Sequence, residues 1–256
     1  MDPIEVDVIE TPELDDPVFI EGLPGVGLVG KLAADHLVGE LESEPVRHVY
    51  SEHFPPAVSI DETGTASLPV LTVHAVRTDG RDLLVLAGEA QAQDPPGQYR
   101  LAEATLDIAA TFGVEEIITI GGYGTGEEVD EYRVLGAAAE GSDELKNRLE
   151  QAGAEFERDD HPGNIVGMSG LLVGLGGRRD LQAAGMLGLT PGYHVDPTSA
   201  RAVLDVLQAA FDFTVDLETL VEQAERVQQL IQQIQRLQHQ QEQPPSPSAE
   251  DLRYFG

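Results

Sequence analysis

Cysteine and tryptophan are absent from this 256-residue chain, and lysine occurs only at Lys31 and Lys146. Without cysteine there is no disulfide, no thiolate metal site and no cysteine nucleophile. The absence also fits a reducing compartment. No stretch approaches the ~18 uncharged apolar residues that a membrane helix needs. The start, Met1-Asp2-Pro3-Ile4-Glu5, has neither the basic nor the apolar region of a secretory leader. A soluble, cytoplasmic protein is expected.

Bases are scarce as a class: 15 against 46 acids, for a formal net charge of -31. The acids form no single tail. Pairs such as Asp15-Asp16, Glu115-Glu116, Glu127-Glu128 and Asp159-Asp160 are spread along the chain, which makes a whole surface acidic. Such a shell repels itself in dilute buffer. At 1 M salt the Debye length falls to about 3 Å and most of the repulsion disappears. With few lysines and 5% aromatics, the composition points to a high-salt cytoplasm, an unusually acidic mesophile protein being the alternative. It also counts against nucleic acid, because no basic cluster exceeds Arg178-Arg179. Anionic membrane surfaces are disfavoured for the same reason.

What is present is 41% hydrophobic residues, an ordinary supply for a core. Ile4, Val6 and Val8 alternate with acids, as in a half-exposed strand. Further strands are predicted at Val18–Ile20, Val46–Tyr50, Pro69–Val76, Leu83–Ala87 and Glu116–Ile120. Helices are predicted at Lys31–Leu37, Tyr99–Thr111, Asp143–Ala152, Ile165–Gly174 and Thr198–Phe211. Strands alternating with helices between glycine-rich turns predict an α/β domain over residues 1–212, with a mainly parallel central sheet covered on both faces. Residues 213–241 are predicted to form a C-terminal helix or coiled-coil segment. Its apolar residues Leu217, Leu220, Ala224, Val227, Ile231 and Ile234 step by threes and fours. Leu230 and Leu237 widen that stripe, so packing on the chain's own domain is the alternative to an oligomerising or docking helix. Residues 242–256 read as a Pro/Ser linker and a flexible tail ending Asp251-Leu252-Arg253-Tyr254-Phe255-Gly256.

Gly25-Val26-Gly27-Leu28-Val29-Gly30 matches G-x-G-x-x-G between a strand and a helix, where glycines let a pyrophosphate approach backbone N–H groups. Close strand–helix packing around a tight turn explains the same residues. Gly121-Gly122-Tyr123-Gly124-Thr125-Gly126 follows an apolar strand and could hold an anion, or form a flexible turn. Gly25, Gly27, Gly30, Gly122 and Gly124 are thus candidate ligand-loop residues. Ser169, in Gly167-Met168-Ser169-Gly170, falls one residue short of a nucleophile elbow and suits a helix start. His194 and Asp196 are too sparse for a metal site. No set of nucleophile, base and orienting group emerges, so neither catalysis nor a metal or other cofactor is expected. In the tail, Leu252, Tyr254, Phe255 and the Gly256 carboxylate form a tethered ligand for a partner.

The chain resembles the proteasome assembly chaperone family, in its archaeal branch, over nearly its whole length. The resemblance is carried by Glu21-Gly22-Leu23-Pro24-Gly25-Val26-Gly27-Leu28-Val29-Gly30-Lys31, by Gly121 to Gly126, by Met168-Ser169-Gly170-Leu171-Leu172, and by Pro191-Gly192-Tyr193 with Asp196-Pro197. It implies a three-layer α/β/α domain similar to nucleoside phosphorylases, without their catalysis. It implies homo-oligomers, alone or with a paralogous chaperone subunit, that help assemble or dock on proteasome α-subunits. Members can carry a tail resembling the hydrophobic–tyrosine–any-residue motif of proteasome activators; here Phe255 holds the penultimate place and Tyr254 the one before it. Two other functions stay open at this level. One is a nucleotide- or nucleoside-binding enzyme of ATP-grasp-like or phosphorylase-like type using the glycine-rich loops. The other is a self-assembling scaffold whose tail binds its own neighbour.

Overall fold

A computed structural model of the chain describes residues 3–61, 63–156, 163–222 and 224–229. The first strands and helix are β1 (Ile4–Val8), β2 (Val18–Glu21), α1 (Val29–Glu40) and β3 (Glu42–Ser51). A small hairpin, β4 (Ser59–Ile60) and β5 (Ala66–Ser67), precedes β6 (Leu71–Arg77) and β7 (Leu83–Gly88). Then come α2 (Pro95–Thr111), β8 (Glu116–Gly124), β9 (Val134–Ala138) and α3 (Asp143–Gln151). The series closes with β10 (Ala154–Glu155), α4 (Gly167–Arg178), β11 (Gln182–Thr190) and α5 (Pro197–Phe211).

Nine strands form one sheet in the order β1-β3-β6-β7-β2-β8-β11-β9-β10, and β4 pairs only with β5. The centre, β7-β2-β8-β11, is parallel. On one side β6, β3 and β1 continue it antiparallel. On the other, β9 runs antiparallel to β11 and carries β10 parallel to itself. The apolar runs of β2 and β7 are buried, as strands covered on both faces must be. Edge strand β1 exposes Glu5 and Asp7, charges that discourage further pairing.

Helices cover both faces, giving the expected three-layer α/β/α arrangement. Helices α1, α3 and α5 enclose one core with Val18, Ile20, Leu83, Val85 and Ile118. Helices α2 and α4 enclose the other with Phe19, Leu84, Leu86 and Ile117. Helix starts follow local chemistry. Asp94 caps α2 by accepting from the Gly97 N–H, and Asp196 caps α5 by accepting from the Ser199 N–H; each is followed by proline at the first helical position. Asp143 and Glu144 sit in the first turn of α3 and Arg148 in its last, where the helix dipole favours each sign.

Glu116 is buried at the start of β8 and accepts from Arg81 at 2.6 Å and from Arg148 at 2.7 Å. Its neighbours thus supply the charge that a buried carboxylate needs. Beyond α5 the chain turns back onto its own first core. Phe213, Val215, Leu220 and Ala224 are buried there, with Leu217 and Val227 packed alongside. His36, buried in α1, lies 2.7 Å from the Asp216 carbonyl, and Thr219 donates to Glu40 at 2.7 Å. Among the described residues, no helix is long and apolar enough to cross a membrane.

Candidate functional site

Because β7, β2, β8 and β11 run parallel, their carboxyl ends share one edge of the sheet. The glycine-rich segments meet there. After β2 the chain makes a tight turn, Val26–Leu28, in which Gly27 takes φ 63°, and then enters α1. A Cβ on Gly30 would strike the Ile120 carbonyl of β8, and one on Gly122 would strike the Val26 carbonyl. The turn is also tied to α5, since the Asp196 N–H donates to the Gly27 carbonyl at 2.9 Å. Gly27, against Thr190, and Gly30 therefore let this segment lie directly on its neighbours, whereas a Cβ on Gly25 would meet only the Leu23 carbonyl at 3.9 Å. Gly122 and Gly124 were expected in a loop; the structure places both inside β8, paired in register with Gly188 and Thr190 of β11.

One rung deeper lies a polar cluster. Glu21 ends β2 fully buried, opposite Thr119 of β8 and below Ser169 in the first turn of α4. Burial pushes its carboxyl from the ordinary 4.5 to about 7. The Ser169 hydroxyl and the Leu23 N–H pull the other way by less. Both are near enough to ease the charge, but neither carboxylate oxygen sits in a full hydrogen bond, nor does the Thr119 hydroxyl. In the sequence Glu21 stands out only as part of a motif. The signal was there, in an acid closing the uninterrupted apolar run Val18-Phe19-Ile20.

Lys31, in the first turn of α1, donates to Asp35 at 2.7 Å and to Glu89 at 2.5 Å. Burial disfavours its charged ammonium, and Asp35 and Glu89 more than offset this, so its pKa lies above the ordinary lysine value. His53 lies 2.8 Å from Asp94 through Nδ1 and 3.0 Å from the Arg100 guanidinium through Nε2. A guanidinium only donates, so Nε2 accepts and Nδ1 gives its proton to Asp94. Both ring nitrogens are thereby engaged, leaving this His–Asp pair no free nitrogen to act as a base. His194 stacks on Tyr193 at 5.1 Å, while Asp196 serves as a helix cap. Among the described residues no three His, Asp or Glu side chains gather where they could hold a metal ion.

The other candidates separate into two groups. Leu217, Leu220 and Val227 lie against the chain's own α1–α5 core. Ile231, Ile234, Leu252, Tyr254, Phe255 and Gly256 fall outside the described residues.

Known proteins extend this geometry. An uncharacterized protein of Methanocaldococcus jannaschii is 35% identical over 246 residues, covering 95% of this chain and 93% of its own. Pyrococcus furiosus PbaB, described as an archaeal proteasome activator, matches with TM-score 0.80 at 35% identity, over 92% of this chain and 100% of that one. Pyrococcus furiosus PbaA, described as an archaeal homolog of proteasome-assembly chaperone, matches with TM-score 0.73 at 28% identity, over 94% of this chain and 100% of that one. The PAC2 family model spans residues 19–235, taking in both glycine-rich segments, the buried Glu21 and the start of the C-terminal helix. The chain belongs to the PAC2 family.

Proposed function

We propose that the chain is a non-enzymatic proteasome assembly chaperone or adaptor, which oligomerises and docks on proteasome α-subunits partly through its C-terminal tail. The observation that carries this reading is the full-length match to PbaB, at 35% identity and TM-score 0.80. Site chemistry supports it. The glycine-rich segments pack on one another at Gly30 and Gly122, and both ring nitrogens of His53 are engaged, by Asp94 and Arg100. In this reading Leu252, Tyr254, Phe255 and the Gly256 carboxylate dock the α-subunit, with the aromatic rings supplying contact area at low rotamer cost. The working environment is a high-salt interior, where a net charge of -31 is screened.

The test is a pull-down of archaeal proteasome α-subunits in ~2 M KCl, where surface charges are screened, with the full chain and with a form lacking Asp251 to Gly256. Capture by the full chain that is lost without the tail is the expected result. Equal capture by both forms would remove the tail from the mechanism, and no capture by either would remove the adaptor reading.

A further inference from the structure

Eleven large apolar residues stand exposed among the described residues, and they are not scattered evenly. Val26 follows β2, Tyr123 lies near the end of β8, and Tyr193 follows β11. Tyr99 and Val166 belong to the starts of α2 and α4. All five therefore sit at the carboxyl edge of the parallel strands. The hairpin β4–β5 adds Val58, Ile60 and Leu68 at the same end, since it leaves the end of β3 and re-enters at Leu71, opposite Gly88 of β7. Eight of the eleven thus share one end face. Two open grooves lie there, beside the start of α2. One, of about 470 Å³, is lined by Tyr50, Phe54, Pro55, Val58 and Leu68. The other, of about 400 Å³, is lined by Gln98, Tyr99, Val166 and Leu171.

Acids border this apolar surface. Glu127, Glu128, Asp130 and Glu131 crowd the β8–β9 connection, and the Glu89 side chain is 80% exposed. Among the described residues of the same end, Lys31, Arg100, Arg133 and Arg201 each have a carboxylate of the chain within 4.0 Å. Apolar anchors inside a rim of one sign select a partner of the opposite sign. A second copy meeting through this face would set acids on acids. The chain's own tail, with Glu250, Asp251 and a terminal carboxylate against Arg253, is also acidic. Nucleic acid and anionic lipid are repelled.

We propose that this end face docks a protein surface whose apolar side chains are ringed by lysine and arginine. Resting on the chaperone reading above, that surface belongs to a proteasome α-subunit, so the partner is held at the end face as well as by the tail. Val166, 81% exposed, and Tyr193, 65% exposed, are the anchors. Tyr193 already gives its hydroxyl proton to Glu128 at 2.5 Å, which fixes the ring without burying it.

The test measures binding of the full-length chain to purified archaeal proteasome α-subunits at ~0.5 M and ~2 M KCl, two degrees of charge screening. Three variants are compared with the native chain. The first is Tyr193→Ala with Val166→Ser, serine being a good helix cap at the start of α4. The second is Glu127→Lys with Glu128→Lys. The third, a charge-matched control far from the face, is Glu42→Lys with Glu44→Lys. Circular dichroism and solution mass check fold and assembly for each. Both face variants are expected to bind at least tenfold more weakly, and the control within twofold of the native chain. The deficit of the charge variant should shrink at the higher salt, while that of the apolar variant should persist. If the full chain binds and the face variants bind equally well, the end face is not the dock and the chaperone reading stands. No binding by the full chain overturns both. A changed solution mass in the face variants assigns the face to a second copy and overturns the proposal.

Discussion

Glu21 makes the interior of this protein sensitive to pH in a direction opposite to that of most paired carboxylates. Its carboxyl is pushed from 4.5 to about 7 by burial, so the folded chain holds a proton that the unfolded chain releases between those values. Stability from this group is complete below pH 4.5 and is lost as pH rises through 7. Each pH unit across that window is worth about 1.4 kcal/mol, which gives about 3 kcal/mol in full and about 2.5 kcal/mol between pH 5 and 8. Glu21→Gln keeps the shape and cannot ionise. The remaining carboxylates titrate in both proteins and cancel when the two are compared. Guanidinium chloride unfolding of native and Glu21→Gln chains at pH 5, 6, 7 and 8 should therefore show the variant gaining on the native protein. The gain should total about 2.5 kcal/mol, most of it by pH 7. Parallel pH curves would refute the assignment, because they would mean that Glu21 carries its charge in the fold at no cost.

Two further substitutions test the packing. Leu220→Ala should cost about 2–5 kcal/mol in denaturant unfolding, because the side chain fills the α1–α5 core; a change in solution mass at unaltered stability would instead assign this residue to an intermolecular helix. Gly122→Ala drives a methyl group onto the Val26 carbonyl and should lower stability by about 1–3 kcal/mol, seen as a reduced melting temperature. An unchanged melting temperature would mean that the turn after β2 is free to lift away.

The layers of the fold were legible because alternation and helical spacing report burial directly. Val18–Ile20, Leu83–Ala87 and Tyr99–Thr111 all lie within elements of the predicted type. The strand β11 was harder to see. Its segment, Gln182-Ala183-Ala184-Gly185-Met186-Leu187-Gly188-Leu189-Thr190, is rich in small residues because α5 and the 163–173 region press close on it, and small residues weaken the strand signal. The same close approach disguised β8, whose last four residues, Gly121 to Gly124, read as a turn. Glycine signals that the backbone comes near something, not what that thing is. A ligand, a turn and a neighbouring strand leave the same mark. The buried acid at position 21 shows the converse limit. Its position in the sequence is plain, but its environment depends on Thr119 and Ser169, which only the fold brings to it.

The return of residues 213–227 to the α1 face has a consequence for how the chain is made. Helix α1 is among the first elements to be synthesised, yet Phe213, Val215, Leu220 and Ala224, which complete its packing, are among the last of the described residues. Contacts across so long a stretch form slowly, and until they form part of the first core's apolar surface beside α1 is exposed. A chain halted at Asp212 would hold all eleven strands of the described residues and still lack the piece that closes the first core. The protein is therefore finished from its carboxyl end. Any truncation meant to remove the tail alone must be cut beyond Val227, leaving that closing segment in place.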